Sequence, residues 1–143
     1  MQWSQDGNQF MVYVEKNENI LESMTLFCEN NGIENGFISG IGAIKSVEIG
    51  AFDIQNKTYI RKRMSGPFEL TSFQGNITLK DGKPFIHAHI TVGDHEMNIM
   101  GGHLFEATVA AVGEFSLQRR TFNASRKLNE DVGLPCICLS ETF

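Results

Sequence analysis

The chain has 143 residues, a formal net charge of −5, 41% hydrophobic and 20% charged residues, and 14 glycines. That length suits one domain with a proper hydrophobic core, and the composition excludes a disordered or fibrous chain. The acidic balance opposes broad attraction to nucleic acid or to an anionic membrane surface, and no apolar run reaches the ~18 residues that span a bilayer.

The first residues, Met1-Gln2-Trp3-Ser4-Gln5-Asp6, lack the basic and then apolar profile of a secretion signal. Cysteines Cys28, Cys136 and Cys138 are odd in number, which suits reduced thiols and a cytoplasmic setting better than a disulfide framework. All three are expected to be buried small hydrophobes, although Cys136 and Cys138 share a strand face and could form a soft-metal pair. Residues 1–143 read as a single domain without linker or repeat.

The first predicted strand is Gln9–Val14, rich in β-branched and aromatic residues. A single helix follows: Asn17 is the expected N-cap, Glu18 favours the dipole, and Ile20, Leu21, Met24, Phe27 and Cys28 fall on one face before Asn31-Gly32 ends it. Residues 37–44 and 47–52 have strand composition but are broken by glycine, the mark of bulges or bends in a curved sheet. In the next strand, 59–64, Arg61 and Arg63 share a face with Tyr59, a pattern read as a solvated strand rather than a ligand-binding patch. Residues 68–79 form another strand, and Lys80-Asp81-Gly82-Lys83 is a tight-turn signal that predicts a hairpin with 84–92. Beyond it, 97–100 reads as a short arm, Gly101-Gly102-His103-Leu104 as a loop, 107–117 as a central strand, 123–133 as irregular and 134–139 as a closing strand.

Chemistry concentrates on the histidines. His87 and His89, spaced i, i+2 in a strand, point to one face and can converge on one ion. His103 follows Gly101-Gly102, where a tight turn could return its side chain to the first two; His95 falls in the turn 93–96 and is left out. Three neutral imidazoles suit zinc better than magnesium or calcium, and they leave a fourth tetrahedral position for water or a substrate oxygen. Glu114 and Glu69 are the carboxylates expected to orient the rings. Glu114 lies in the apolar run 109–115 and needs a partner: the metal site, Arg119, Arg120 or a neighbouring protomer. Facing the metal, it would be the candidate general base.

Several separated motifs, in order, resemble the domain conserved between plants and prokaryotes, the PPC or DUF296 domain, in its stand-alone prokaryotic type. They are 38–43, Gly66-Pro67-Phe68-Glu69-Leu70, Gln74-Gly75-Asn76, His87-Ala88-His89, Gly101-Gly102-His103-Leu104 and Glu114. The resemblance implies an α+β fold, a strongly bent and partly barrel-like antiparallel sheet packed against one main helix, assembled as a homotrimer. It also implies zinc held by His87, His89 and His103. In plant members a Gly-Arg-Phe-Glu-Ile-Leu motif contacts partner transcription factors; here Gly66, Phe68, Glu69 and Leu70 stand at those positions with Pro67 for the arginine, a departure at the partner site. The AT-hook of the plant proteins is absent, which removes that route to the minor groove.

Two functions follow. The first is a trimeric zinc-binding module, DNA-associated or regulatory, with weak or no direct DNA binding and with protein partners or a small ligand at the metal. The alternative is a zinc-dependent lyase or hydrolase acting on a small oxygen-rich substrate, since the cluster is similar to that of acetolactate decarboxylase.

Overall fold

Alternation decides which face of each strand meets the core. In Gln9–Val14, Phe10, Val12 and Val14 are buried, while Gln9 and Met11 face outward; the same period of two runs through Lys83–Gly93, where Ile86, Ala88, Ile90 and Val92 point inward. The computed structural model describes residues 1–140. Its elements are β1 (Gln2–Asp6), β2 (Gln9–Val14), α1 (Ile20–Asn30), β3 (Gly36–Asp53), β4 (Thr58–Lys80), β5 (Lys83–Gly93), β6 (Ile99–Arg119), β7 (Ala124–Asn129) and β8 (Leu134–Leu139). Strands hold 69% of the structure against one short helix, a stronger bias to sheet than an even α+β mixture.

The strands run in the order β1-β2-β6-β3-β4-β7-β8, and β5 pairs with both β4 and β6. All pairings are antiparallel except a single bridge from Leu79 in β4 to Ser125 in β7. The sheet is strongly bent: β3, β4, β5 and β6 pair in a closed circuit, because β5 bonds to both β4 and β6, while β1 and β8 remain at the ends of the strand order. Register shifts between Gly40 and Gly42 and between Ile44 and Ser46 supply the bend. They do so without ending the strand, so the two segments predicted over 37–52 form one. Residues 59–64 and 68–79 likewise fuse into β4, with Gly66-Pro67 at the second shift, where a missing N–H costs no regular ladder bond.

The helix lays Ile20, Met24, Phe27 and Cys28 against the inner face, as its periodicity predicts, and touches β5 and β6. Its N-cap is Asn19 rather than Asn17: the Asn19 Oδ1 accepts the Glu22 N–H at 3.2 Å. Asn17 instead adopts a φ of 74° and accepts from Lys45 Nζ. A second correction concerns 123–133: β7 occupies most of it, paired with β8 from Ala124↔Leu139 to Asn129↔Leu134. Its polar residues give no alternating signal because burial runs in blocks, with Ala124 buried, Ser125 and Arg126 half-buried and Lys127 to Asn129 exposed. The tight turn at Asp81-Gly82 forms as predicted, both residues taking positive φ (52° and 76°). The 11-residue α1 is the only helix among the described residues, and no helix is long and apolar enough to cross a membrane.

Only Cys28 is a buried thiol; Cys136 is half-buried and Cys138 exposed, contrary to the expectation that all three are core residues. Burial, helped by the neighbouring Glu29, pushes the Cys28 thiol up to about 12. In native protein at pH 8, Ellman's reagent should therefore modify Cys138 promptly and Cys28 only after unfolding. Three fast-reacting thiols would contradict this packing.

Candidate metal centre

Because Ile86, Ala88 and Ile90 commit one face of β5 to the core, His87 and His89 must project from the other. The register between β5 and β6 then sets His89 opposite His103. No loop delivers His103, as the Gly-Gly pair led us to expect; both glycines lie inside β6 and neither takes positive φ. Close approach is the reason for glycine here. A Cβ on Gly101 would stand 2.7 Å from the Ile90 carbonyl oxygen, and one on Gly102 2.7 Å from that of Gly50.

The three imidazoles form a nearly equilateral triangle, with centroids 5.2 Å apart for His87 and His89, 5.0 Å for His87 and His103, and 5.4 Å for His89 and His103. One nitrogen from each lies within 4.8 Å of the others. Tyr59 and Phe105 pack on the His103 ring, at centroid distances of 4.9 and 4.7 Å, and hold its plane. Burial pushes the His87 and His103 rings down to about 4, with Arg126 and the neighbouring histidines adding to it. Both are therefore neutral at pH 7, the form that ligates metal.

The donor set fits a borderline transition metal such as zinc on two observations. His103 Nδ1 is buried and has no hydrogen-bond partner among the described residues, a vacancy that a ligated cation would fill. No carboxylate joins the cluster, so all three candidate ligands are imidazoles, which suit zinc better than magnesium or calcium. At the third ring, Arg126 Nη2 lies 3.2 Å from His87 Nδ1. A guanidinium only donates, so this contact keeps the proton of the neutral ring on Nε2. Metal at His87 competes with Arg126 for Nδ1 or with a proton for Nε2.

Arg126 is the site residue that sequence reasoning misses. It lies in β7, within the segment read as irregular, and a single arginine in a polar stretch carries no spacing signal. Its guanidinium also donates to Thr78 Oγ1 (3.0 Å), Asn76 Oδ1 (2.8 Å) and the Pro135 carbonyl (2.9 Å). These bonds tie the β7–β8 hairpin to β4. A pocket of ≈470 Å³ opens here, and His87, His103, Tyr59, Arg61, Phe105 and Arg126 are among the residues that line it.

The other predicted residues lie elsewhere. Glu114 is exposed and far along β6, paired with Tyr13 and Ile41, and it shares a surface depression with Glu69, not with the histidines. The groups that meet the rings are instead Arg126 at His87 and Tyr59 and Phe105 at His103. Of the segment at 66–70, Phe68 and Leu70 are core residues and Gly66 sits tight against the Phe68 ring, so only Pro67 and Glu69 present their side chains outward. His95 is exposed in the turn after β5 and stands apart from the cluster. Arg61 and Arg63 are engaged by carboxylates: Arg63 meets Glu48 at 2.7 Å and Glu106 at 2.8 Å, and Arg61 meets Glu48 at 3.5 Å. These ion pairs offset the charge of the two arginines, in keeping with the reading of residues 59–64 as a solvated face.

No curated protein matches the chain. Solved structures do. A "putative DNA binding protein" from Bacteroides thetaiotaomicron is 30% identical, with a TM-score of 0.93 and 96% of each chain covered. A plant- and prokaryote-conserved (PPC) protein from Pyrococcus horikoshii is 35% identical, with a TM-score of 0.85 over 99% of this chain and 96% of that one. A metal-containing protein from Archaeoglobus fulgidus is 32% identical, with a TM-score of 0.85 and 99% of each chain covered. The pattern of the Plants and Prokaryotes Conserved (PCC) domain matches residues 1–119, which span β1 to β6 with all three histidines, and the chain belongs to that family.

Proposed function

We propose that this chain is a trimeric zinc-binding protein of the PCC family, a regulatory module associated with DNA whose own grip on DNA is weak or absent. The observation that carries the metal is the convergence of three imidazoles around an unpartnered, buried His103 Nδ1. The metal-containing relative from A. fulgidus adds support. Bound there, zinc would supply a Lewis acid with a fourth position open to a small ligand. The DNA association takes its support from the name of the B. thetaiotaomicron relative. The net charge of −5 and the carboxylates paired with Arg61 and Arg63 argue that phosphate contacts are few. For the trimer, support comes from the outer sheet face, where Met11 and Ile41, both exposed, border a depression of ≈600 Å³. Free, unpaired cysteines fit a cytoplasmic setting.

One observation favours the second reading, a zinc-dependent lyase or hydrolase for a small oxygen-rich substrate: the ≈470 Å³ pocket that meets two of the histidines. Glu114 could act as its base only if a neighbouring protomer delivered it, because within one chain it does not reach the cluster.

Metal analysis of purified protein should find one zinc per chain. Its removal by a chelator should lower the melting temperature by about 5–10 °C, as loss of a ligand held well above its dissociation constant does. Light scattering should give the mass of three chains. Protein that carries no metal and melts identically in excess zinc would sink the metal reading. Tight duplex binding that persists at 0.2 M salt would sink the claim of weak DNA contact.

A further inference from the structure

The pocket beside the histidines is lined by three cations and by no carboxylate. Arg126 is half-buried, yet every partner of its guanidinium is neutral: Thr78, Asn76, Pro135 and His87. No carboxylate among the described residues lies within salt-bridge distance of it or of Lys80. Arg61 has Glu48 at 3.5 Å, but Arg63 holds that same carboxylate more closely, at 2.7 Å. A half-buried cation without a counter-charge is costly, and an anion from outside removes the cost.

The rest of the lining is flat and apolar. Lys80 Nζ stands 5.2 Å and the Arg126 guanidinium 5.6 Å from the Phe85 ring centroid, while Arg61 lies 3.6 Å over Phe105. Tyr59 and Phe105 meet edge to face at 4.9 Å. A volume of ≈470 Å³ suits a small organic molecule. Planar cations and aromatic walls fit a planar anion with an apolar body.

We propose that this pocket binds a small organic carboxylate, its carboxylate held by Arg126 and Lys80 and its apolar body between Phe85, Phe105 and Tyr59. That the same molecule also reaches the metal rests on the zinc reading above; its capture by the cations does not. Arg126 and Cys136, on the hairpin wall of the pocket, lie beyond the 1–119 that the family pattern matches, so the selectivity is carried partly by residues outside that pattern.

Benzoate and its uncharged analogue benzamide, titrated calorimetrically into metal-free and zinc-loaded full-length protein, test the proposal. Benzoate should bind metal-free protein about tenfold or more tightly than benzamide, as expected for charge-assisted hydrogen bonds. Lys80→Glu should erase that preference. Lys80 makes no side-chain hydrogen bond, so an unchanged melting temperature will verify that this variant folds; Arg126→Gln provides a second variant, expected to weaken benzoate and spare benzamide. Equal binding of the two probes by wild type, absence of binding by either, or an undiminished preference in Lys80→Glu overturns the proposal. Benzoate selectivity in protein that takes up no zinc would uphold this pocket and overturn the zinc reading, while zinc uptake without benzoate selectivity would do the reverse.

Discussion

His89→Ala is expected to abolish zinc retention while leaving the fold intact. His89 is exposed and its ring forms no hydrogen bond within the described residues, so truncating it removes a ligand without opening a cavity or orphaning a partner. Loss of residues that merely orient metal ligands commonly costs 10- to 100-fold in affinity; losing one of three ligands should cost at least about 100-fold. Zinc per chain after exhaustive dialysis measures the effect, and the melting curve of metal-free variant and wild type should coincide. Full retention of zinc by the variant would put the metal at another site.

Gly102→Ala should damage both the sheet and the site. An added Cβ would stand 2.7 Å from the Gly50 carbonyl oxygen, a backbone atom that cannot swing aside, so β3 and β6 must separate next to His103. Overpacking of this kind costs about 1–3 kcal/mol, which corresponds to a fall in melting temperature of roughly 2–12 °C. Zinc affinity should drop with it, since His103 follows directly in β6 and pairs with Gly50. Gly93→Ala is the control: its nearest neighbour would be Ile99 Cδ1 at 3.5 Å, an ordinary contact, and it should be close to neutral. If the two substitutions destabilise equally, close strand approach is not the reason for glycine at 102.

The contrast between these two glycines shows where sequence reading stops. Gly-Gly ahead of a histidine reads as a turn because turns are where glycine is most often required, yet at 101 and 102 the requirement comes from carbonyls of Ile90 and Gly50, on other strands. The same limit applies to Glu114. Its place in an apolar run reads as burial that demands a partner, but the face it occupies depends on the register with β2 and β3, and that register leaves it exposed in a different depression. Helix capping failed by two residues for a local reason: Asn17 and Asn19 are equally suited by type, and only Asn17's positive φ, with Lys45 bonded to its side chain, excludes it.

By itself the sequence determined the features that depend on short-range periodicity: the core face of α1, the Asp81-Gly82 hairpin, and the shared face of His87 and His89. Each follows from a helical or two-residue repeat and needs no knowledge of neighbours. Only the tertiary structure decided that His103 stands opposite His89, that Arg126 returns from β7 to His87, and that three cations meet around one aromatic pocket. Those juxtapositions join residues far apart in the chain through strand register and sheet bending, and neither leaves a mark in local spacing.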